Sequence, residues 1–131
     1  MAKILIVDDS ALMRHTLQHI VEKACHEVVG LTGDGNEAVK LYKELKPDLV
    51  TMDILMGESD GIQTLAAIKK EDPGANVIMI TALGWENKKE DALRLGAKGY
   101  IKKPFDAQEI RKEIERVVGK SQIEMLRTIL N

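Results

Sequence analysis

Short apolar runs alternate with longer amphipathic stretches five times along the chain. The first run is Lys3-Ile4-Leu5-Ile6-Val7, and comparable runs occupy 27–31, 49–52, 77–80 and 99–101. Between these runs, apolar residues recur at the three- and four-residue spacings of a buried helix face. The alternation predicts an α/β fold, in which a parallel sheet with right-handed crossovers carries helices on both faces.

Five helices are predicted to follow the five strands, over about 10–24, 34–45, 61–71, 86–95 and 106–118. Asp34 with Glu37, and Asp106 with Glu109, have the spacing of capping boxes at helix starts. Beyond Gly119, the apolar spacing over 123–130 predicts a short sixth helix. We therefore expect a domain over 1–119 and a C-terminal helical extension over 120–131, which packs on the domain, pairs with another copy or begins a linker.

Composition narrows the class of protein. With 131 residues, of which 44% are hydrophobic and 31% charged, the chain is long enough for one folded domain. A net charge of -2 offers no basic surface for direct binding of nucleic acid. The single cysteine, Cys25, excludes an internal disulfide. Since the sequence shows neither a membrane-length apolar run nor a signal-peptide pattern, we expect a cytoplasmic protein that does not insert into membranes.

Polar residues that the core does not need follow four of the five predicted strands. Asp8 and Asp9 come after the first, Asp53 after the third, Thr81 ends the fourth and Lys103 follows the fifth. In an open parallel sheet, the carboxyl ends of the strands line one binding crevice. Adjacent carboxylates repel unless a cation is present, and Mg²⁺ prefers oxygen ligands. The set therefore predicts a divalent-cation site facing a phosphoryl group; taken alone, Asp8 and Asp9 are equally compatible with a solvated strand end or a helix cap.

Five short motifs in the right order carry a family resemblance. They are Val7-Asp8-Asp9, Asp53-Ile54-Leu55-Met56 with Asp60-Gly61, Thr81-Ala82, Gly96-Ala97-Lys98-Gly99-Tyr100, and Lys103-Pro104-Phe105. Over residues 3–118 the chain resembles the CheY-like receiver domains of two-component response regulators. The resemblance implies a flavodoxin-like, doubly wound, five-stranded sheet in the order 2-1-3-4-5, for which CheY itself is a standard example.

The resemblance also implies a role for each site residue. Asp53 would be the phosphoacceptor, whose carboxylate attacks a phosphohistidine phosphoryl group. Asp8, Asp9, Asp53 and the backbone carbonyl of Leu55 would hold the Mg²⁺ cofactor.

Three further residues would complete the site. Lys103 would pair with Asp53 and then with a phosphoryl oxygen, and the following Pro104 suggests a cis peptide bond that aims the lysine. Thr81 would donate a hydrogen bond to the phosphoryl group. Tyr100 would be the switch aromatic, which turns inward when Thr81 shifts.

The function implied is that of a single-domain response regulator, a signalling phosphoacceptor that catalyses only its own phosphorylation and dephosphorylation. A sensor histidine kinase would phosphorylate it. The surface of the fourth helix, fifth strand and fifth helix would then bind a downstream protein, either the flagellar motor or another effector. Chemotaxis is one setting that the resemblance suggests, with the protein acting as a monomer or a weak homodimer.

The sequence departs from the family at Gly57, where members usually have Pro, so we expect a looser loop and an altered phosphoryl lifetime. Leu55 and Leu83 would flank the site and limit the approach of water. Trp85 is a candidate for either partner contact or packing at a helix start.

Three other functions were weighed, and the residues disfavour the first two. A phosphatase of the haloacid dehalogenase type needs a second aspartate two residues after the nucleophile, where this chain has Leu55. A flavin-binding module would need a hydroxyl- and glycine-rich phosphate loop and aromatic residues, which make up only 3% of the chain. A receiver domain of a longer regulator, with a DNA-binding or enzymatic output domain, remains open because 12 residues follow Gly119.

Overall fold

The structure, a computed structural model, describes residues 1–57, 59–82 and 86–119. The predicted extension over 120–131 lies outside the described residues, as do Leu83 and Trp85.

Five parallel strands form the central sheet. They are β1 (Lys3–Val7), β2 (Glu27–Thr32), β3 (Leu49–Met52), β4 (Val77–Thr81) and β5 (Gly99–Lys102). Their spatial order is β2-β1-β3-β4-β5, and each neighbouring pair is parallel. The predicted doubly wound sheet in the order 2-1-3-4-5 is confirmed.

Within the described residues, five α-helices connect and flank the strands. They are α1 (Ala11–Lys23), α2 (Gly35–Leu45), α3 (Gly61–Glu71), α4 (Glu86–Arg94) and α5 (Ala107–Ile114), and a π-helical turn, Glu115–Gly119, continues α5. The predicted caps are confirmed, because the carboxylates of Asp34 and Asp106 accept the main-chain N–H groups of Glu37 and Glu109. The π-helical turn was not predicted.

The core consists of two clusters, one on each face of the sheet. Side chains alternate along β1, so Leu5 and Val7 belong to one cluster while Ile4 and Ile6 belong to the other. The first cluster packs beneath α2, α3 and α4; the second packs beneath α1 and α5. All four of these β1 side chains are at most 1% exposed, as expected for a strand covered on both faces.

One local feature lies next to the site. The segment after β3 folds into a two-residue antiparallel ladder, in which Leu55 and Met56 pair with Asp60 and Ser59. Gly57 follows the first strand of this ladder, and the looser loop that we expected around it stays a prediction. Among the helices that the structure describes, none is long and apolar enough to cross a bilayer.

Candidate functional site

Three carboxylates meet at the carboxyl edge of the sheet. One oxygen each from Asp8, Asp9 and Asp53 lies within 4.8 Å of the other two. Parallel pairing of β1 with β3 produces this arrangement, because the Asp53 N–H donates to the Val7 carbonyl at 3.0 Å. The structure therefore brings together the three acids that the sequence places far apart.

Lys103 lies between two of these acids. Its Nζ is 3.0 Å from Asp8 Oδ2 and 3.4 Å from Asp53 Oδ2, so it pairs with both carboxylates and not with Asp53 alone. The Lys103 N–H donates to the Thr81 carbonyl at 2.7 Å, which ties the lysine to the end of β4. The Lys103–Pro104 peptide bond is cis, as predicted.

The surroundings of the Asp53 carboxyl group disfavour its ionised form. Burial raises its pKa from the ordinary 3.8 to about 6, and the charge of Asp8 adds to this effect while Lys103 opposes it. Three carboxylates facing one ammonium group leave the cluster with excess negative charge. A divalent cation would relieve this excess.

Asp9 differs from the other two acids because it is exposed. Its carboxylate forms no hydrogen bond or ion pair with the residues that the structure describes, whereas Asp8 Oδ1 accepts the Ser10 N–H at 2.9 Å. The Asp9 oxygens are therefore available to an incoming ligand.

Thr81 contributes a hydroxyl group at the same edge. The residue is fully buried, and its Oγ1 has no hydrogen-bond partner within the described part of the chain. Leaving a buried hydroxyl unpaired costs about 1–3 kcal/mol. An oxyanion that arrives at the end of β4 would give this hydroxyl an acceptor.

The donor set fits Mg²⁺, because every candidate ligand at this edge is an oxygen atom. Asp8, Asp9 and Asp53 supply three carboxylates. Leu55 lies two residues after Asp53 and is 52% exposed. The ligand role of its backbone carbonyl stays a prediction.

Tyr100 lies on the same face of the sheet as Thr81. Tyr100 pairs with Met79 across β5 and β4, and Met79 and Thr81 point to the same side because they are two residues apart. The tyrosine ring is half-buried against the core, and Lys89 Nζ lies 5.4 Å from its centroid.

A surface groove of about 460 Å³ lies beside Tyr100, between α4, β5 and α5. The residues that line it are Lys89, Tyr100, Ile101, Lys102, Glu109, Lys112 and Glu113.

One residue at the site was not predicted from the sequence. Arg14, on the first turns of α1, donates from Nη1 to the Asp8 carbonyl at 2.6 Å. A long basic side chain on an amphipathic helix normally indicates a solvated face, so its type carries no signal. Its position one turn into the helix that follows Asp8 and Asp9 is the only clue that the sequence offers.

The fold and the site together define a receiver domain: a doubly wound sheet that presents three acids and a lysine at its carboxyl edge. The response regulator receiver domain family matches residues 4–115, and the chain belongs to this family. The chain is thus a CheY-like response regulator domain of two-component signalling.

Similar proteins come from several bacteria. The chain is 47% identical over 116 residues to the chemotaxis protein CheY of Listeria monocytogenes, covering 88% of this chain and 98% of that protein. It is 45% identical over 115 residues to CheY of Thermotoga maritima, covering 88% of this chain and 96% of that protein. A solved complex of CheX with CheY, BeF₃ and Mg²⁺ from Borrelia burgdorferi has a TM-score of 0.85 and 39% identity, covering 88% of each chain.

Proposed function

We propose that this chain is a single-domain response regulator, which accepts a phosphoryl group on Asp53 from a sensor histidine kinase in a Mg²⁺-dependent reaction. The observation that carries the proposal is the meeting of Asp8, Asp9 and Asp53 within 4.8 Å, with Lys103 Nζ in contact with two of them. The solved CheY complex from Borrelia burgdorferi, which contains Mg²⁺ and BeF₃, supports the same assignment.

Asp53 acts as the nucleophile. One of its carboxylate oxygens attacks phosphorus, and the bond between phosphorus and the imidazole nitrogen of the donor breaks. The electron pair leaves with the imidazole, which then takes a proton from solvent. A pKa of about 6 keeps Asp53 largely ionised at pH 7.5.

Two side chains stabilise the phosphoryl group once it is transferred. Lys103, already 3.4 Å from Asp53 Oδ2, exchanges this contact for one to a phosphoryl oxygen. The unpaired Thr81 hydroxyl donates to another. A bound Mg²⁺, held by Asp8, Asp9, Asp53 and the Leu55 carbonyl, would supply positive charge against the remaining phosphoryl oxygens.

Phosphorylation would then change the surface formed by α4, β5 and α5. The phosphoryl group carries roughly 1.5 to 2 negative charges. Because the acyl phosphate replaces the ionised carboxylate of Asp53, the net gain is about one negative charge, at the ends of β3 and β4. When Thr81 moves to bond the phosphoryl group, Tyr100 on the same face of the sheet turns inward and Lys89 loses its contact with the ring. The groove between these elements thereby gains or loses affinity for a downstream protein, either the flagellar motor or another effector.

The setting is proposed on the same grounds. Near-complete coverage of two CheY proteins, 98% and 96% of their lengths, supports a single-domain regulator acting in chemotaxis. We place it in the cytoplasm as a monomer or weak homodimer. The division into a receiver domain over 1–119 and an extension over 120–131 stays a prediction.

Intact-mass spectrometry after incubation with phosphoramidate and Mg²⁺ tests this function. The wild type should gain one phosphoryl adduct, which EDTA and Asp53→Asn should both abolish. Asp48→Asn is the matched control, because Asp48 precedes β3 while Asp53 follows it, and its carboxylate accepts the Lys3 N–H at 2.8 Å on the opposite edge of the sheet. A wild type without an adduct, or an adduct that survives in Asp53→Asn, would overturn the proposal.

A further inference from the structure

Of the three acids, Asp9 is the one whose side chain is not held by other side chains. Asp8 is fixed by the Ser10 N–H and by Lys103 Nζ, and Asp53 is fixed by Lys103 Nζ. Asp9 has no such contact with the residues that the structure describes. Its carboxylate can therefore stay within 4.8 Å of the other two only if the backbone that carries it is held in place.

Arg14 fixes the backbone next to Asp9 through a hydrogen bond. Its guanidinium Nη1 donates to the Asp8 carbonyl at 2.6 Å, and this carbonyl belongs to the peptide unit that joins Asp8 to Asp9. A charge-assisted hydrogen bond of this kind is stronger than a neutral one. It fixes the rotation of the peptide unit, which determines the direction of the Asp9 Cα–Cβ bond.

Gly33, in the turn between β2 and α2, packs closely against both the Arg14 guanidinium group and the Asp8–Asp9 backbone. A Cβ added at Gly33 would lie 3.0 Å from Arg14 Nη1, 3.1 Å from Asp9 Cα and 3.3 Å from the Asp8 carbonyl oxygen. The preceding residue reinforces the contact, because the Thr32 carbonyl accepts the Asp8 N–H at 2.9 Å. The guanidinium group and the peptide unit are thus confined together against this turn.

We propose that Arg14, confined by Gly33, is a positioning residue that aims the Asp9 carboxylate at the Mg²⁺ site. The inference rests on the proposed function, since it assumes that Asp9 is a metal ligand. The guanidinium group of Arg14 is cationic and has only hydrogen-bond donors, so it is not itself a ligand for the metal. It acts through the Asp8–Asp9 peptide unit.

The direction in which Arg14→Met changes the affinity for Mg²⁺ distinguishes a positioning role from a purely electrostatic one. A cation near a cation site repels the metal, so the charge of Arg14 by itself weakens Mg²⁺ binding. If charge were its only influence, Arg14→Met would bind Mg²⁺ more tightly than the wild type. If Arg14 positions Asp9, the same substitution weakens binding, because the ligand loses its fixed orientation.

Isothermal titration of the protein with MgCl₂ after removal of EDTA tests this, with no phosphoryl donor present. Arg14→Met should raise the Kd for Mg²⁺ about tenfold, a typical loss when the partner that orients a metal ligand is removed. Arg111→Met is the matched control, because Arg111 also donates to a backbone carbonyl, that of Lys23 at 3.4 Å, but lies on α5. The control should keep the wild-type Kd.

A second measurement distinguishes the positioning role from a general loss of stability. Urea unfolding in EDTA and in Mg²⁺ gives the increment in stability that the metal supplies. A structural role would lower both curves and leave the increment unchanged; a positioning role reduces the increment.

If Arg14→Met does not fold, Gly33→Ala tests the same positioning role. Its methyl group must displace either the Arg14 guanidinium group or the Asp9 backbone. A Kd within twofold of the wild type in the decisive variant would overturn the inference and leave the proposed function intact. A wild type that binds no Mg²⁺ would overturn both.

Discussion

Folding changes the ionisation of Asp53 strongly. Burial raises its pKa to about 6, so the folded chain binds this proton more tightly than the unfolded chain, where an aspartate titrates near 3.9. The folded state therefore loses stability as the pH rises from about 4 to about 6, when the buried carboxyl ionises without a metal.

Asp53→Asn should remove this penalty. In EDTA at pH 7.5 we expect the variant to be more stable than the wild type by about 1 to 2 kcal/mol, which is less than the full pKa shift implies because the site opens to water. The difference should vanish below about pH 3, where the wild-type carboxyl group is protonated in both states. Urea unfolding across this pH range measures it, and a variant that is less stable than the wild type at pH 7.5 would contradict the electrostatic picture.

Thr51 and Thr81 form a natural pair for comparison, because each buries a hydroxyl that has no partner among the described residues. Thr51 lies within β3, between Ile6 of β1 and Ile78 of β4, in the apolar interior. Thr81 lies at the edge where the acids meet.

Replacing either threonine with valine should raise the free energy of unfolding by about 1 kcal/mol, since an isosteric methyl group replaces an unpaired hydroxyl. Only Thr81→Val should also change phosphorylation, by slowing formation of the adduct or shortening its lifetime. Denaturant unfolding and time-resolved mass spectrometry of both variants measure this. If Thr51→Val altered the adduct as much as Thr81→Val does, the assigned role of Thr81 would be wrong.

At the scale of elements, the segment between β3 and α3 depends on Gly57. Its φ of 56° lies in the left-handed region, which proline cannot adopt and which other residues adopt at a cost. The residue that the family usually carries here is thus incompatible with the ladder that this chain forms over 55–60.

Gly57→Ala should destabilise the protein by about 1 kcal/mol, and Gly57→Pro by more because the ladder must open. Gly74→Ala is the control: Gly74 is exposed in a turn without a positive φ, and an added Cβ would meet only Asp72 Oδ1, at 3.5 Å. It should be neutral or slightly stabilising. Equal tolerance of alanine at both positions in urea unfolding would argue against the observed backbone of Gly57.

The regular elements were predictable because the strands are mostly apolar runs and each helix has a cap or an apolar stripe. The features that were missed depend on contacts between distant residues. The register of β2 shifts opposite Ile4 and Leu5, where Gly30 packs closely under Leu5 and Leu45. The π-helical turn over Glu115–Gly119 likewise continues an apolar stripe that reads as ordinary α-helix.

For the whole molecule, topology made the site predictable. Once the strand order is known, the residues that follow β1, β3, β4 and β5 must meet at one edge, and the structure places Asp8, Asp9, Asp53 and Lys103 together there. The role of Arg14 could not be predicted in this way. It depends on the path of one side chain back to a carbonyl, which no spacing in the sequence encodes.

Locating the phosphoryl group on the chain shows whether Asp53 is the phosphoacceptor. Borohydride reduces an aspartyl phosphate to homoserine, which marks the modified residue in a peptide digest. After treatment with phosphoramidate and Mg²⁺, we expect the mark at Asp53 and its absence when EDTA is present. A mark at Asp8 or Asp9, or one at Asp53 that forms equally well in EDTA, would contradict it.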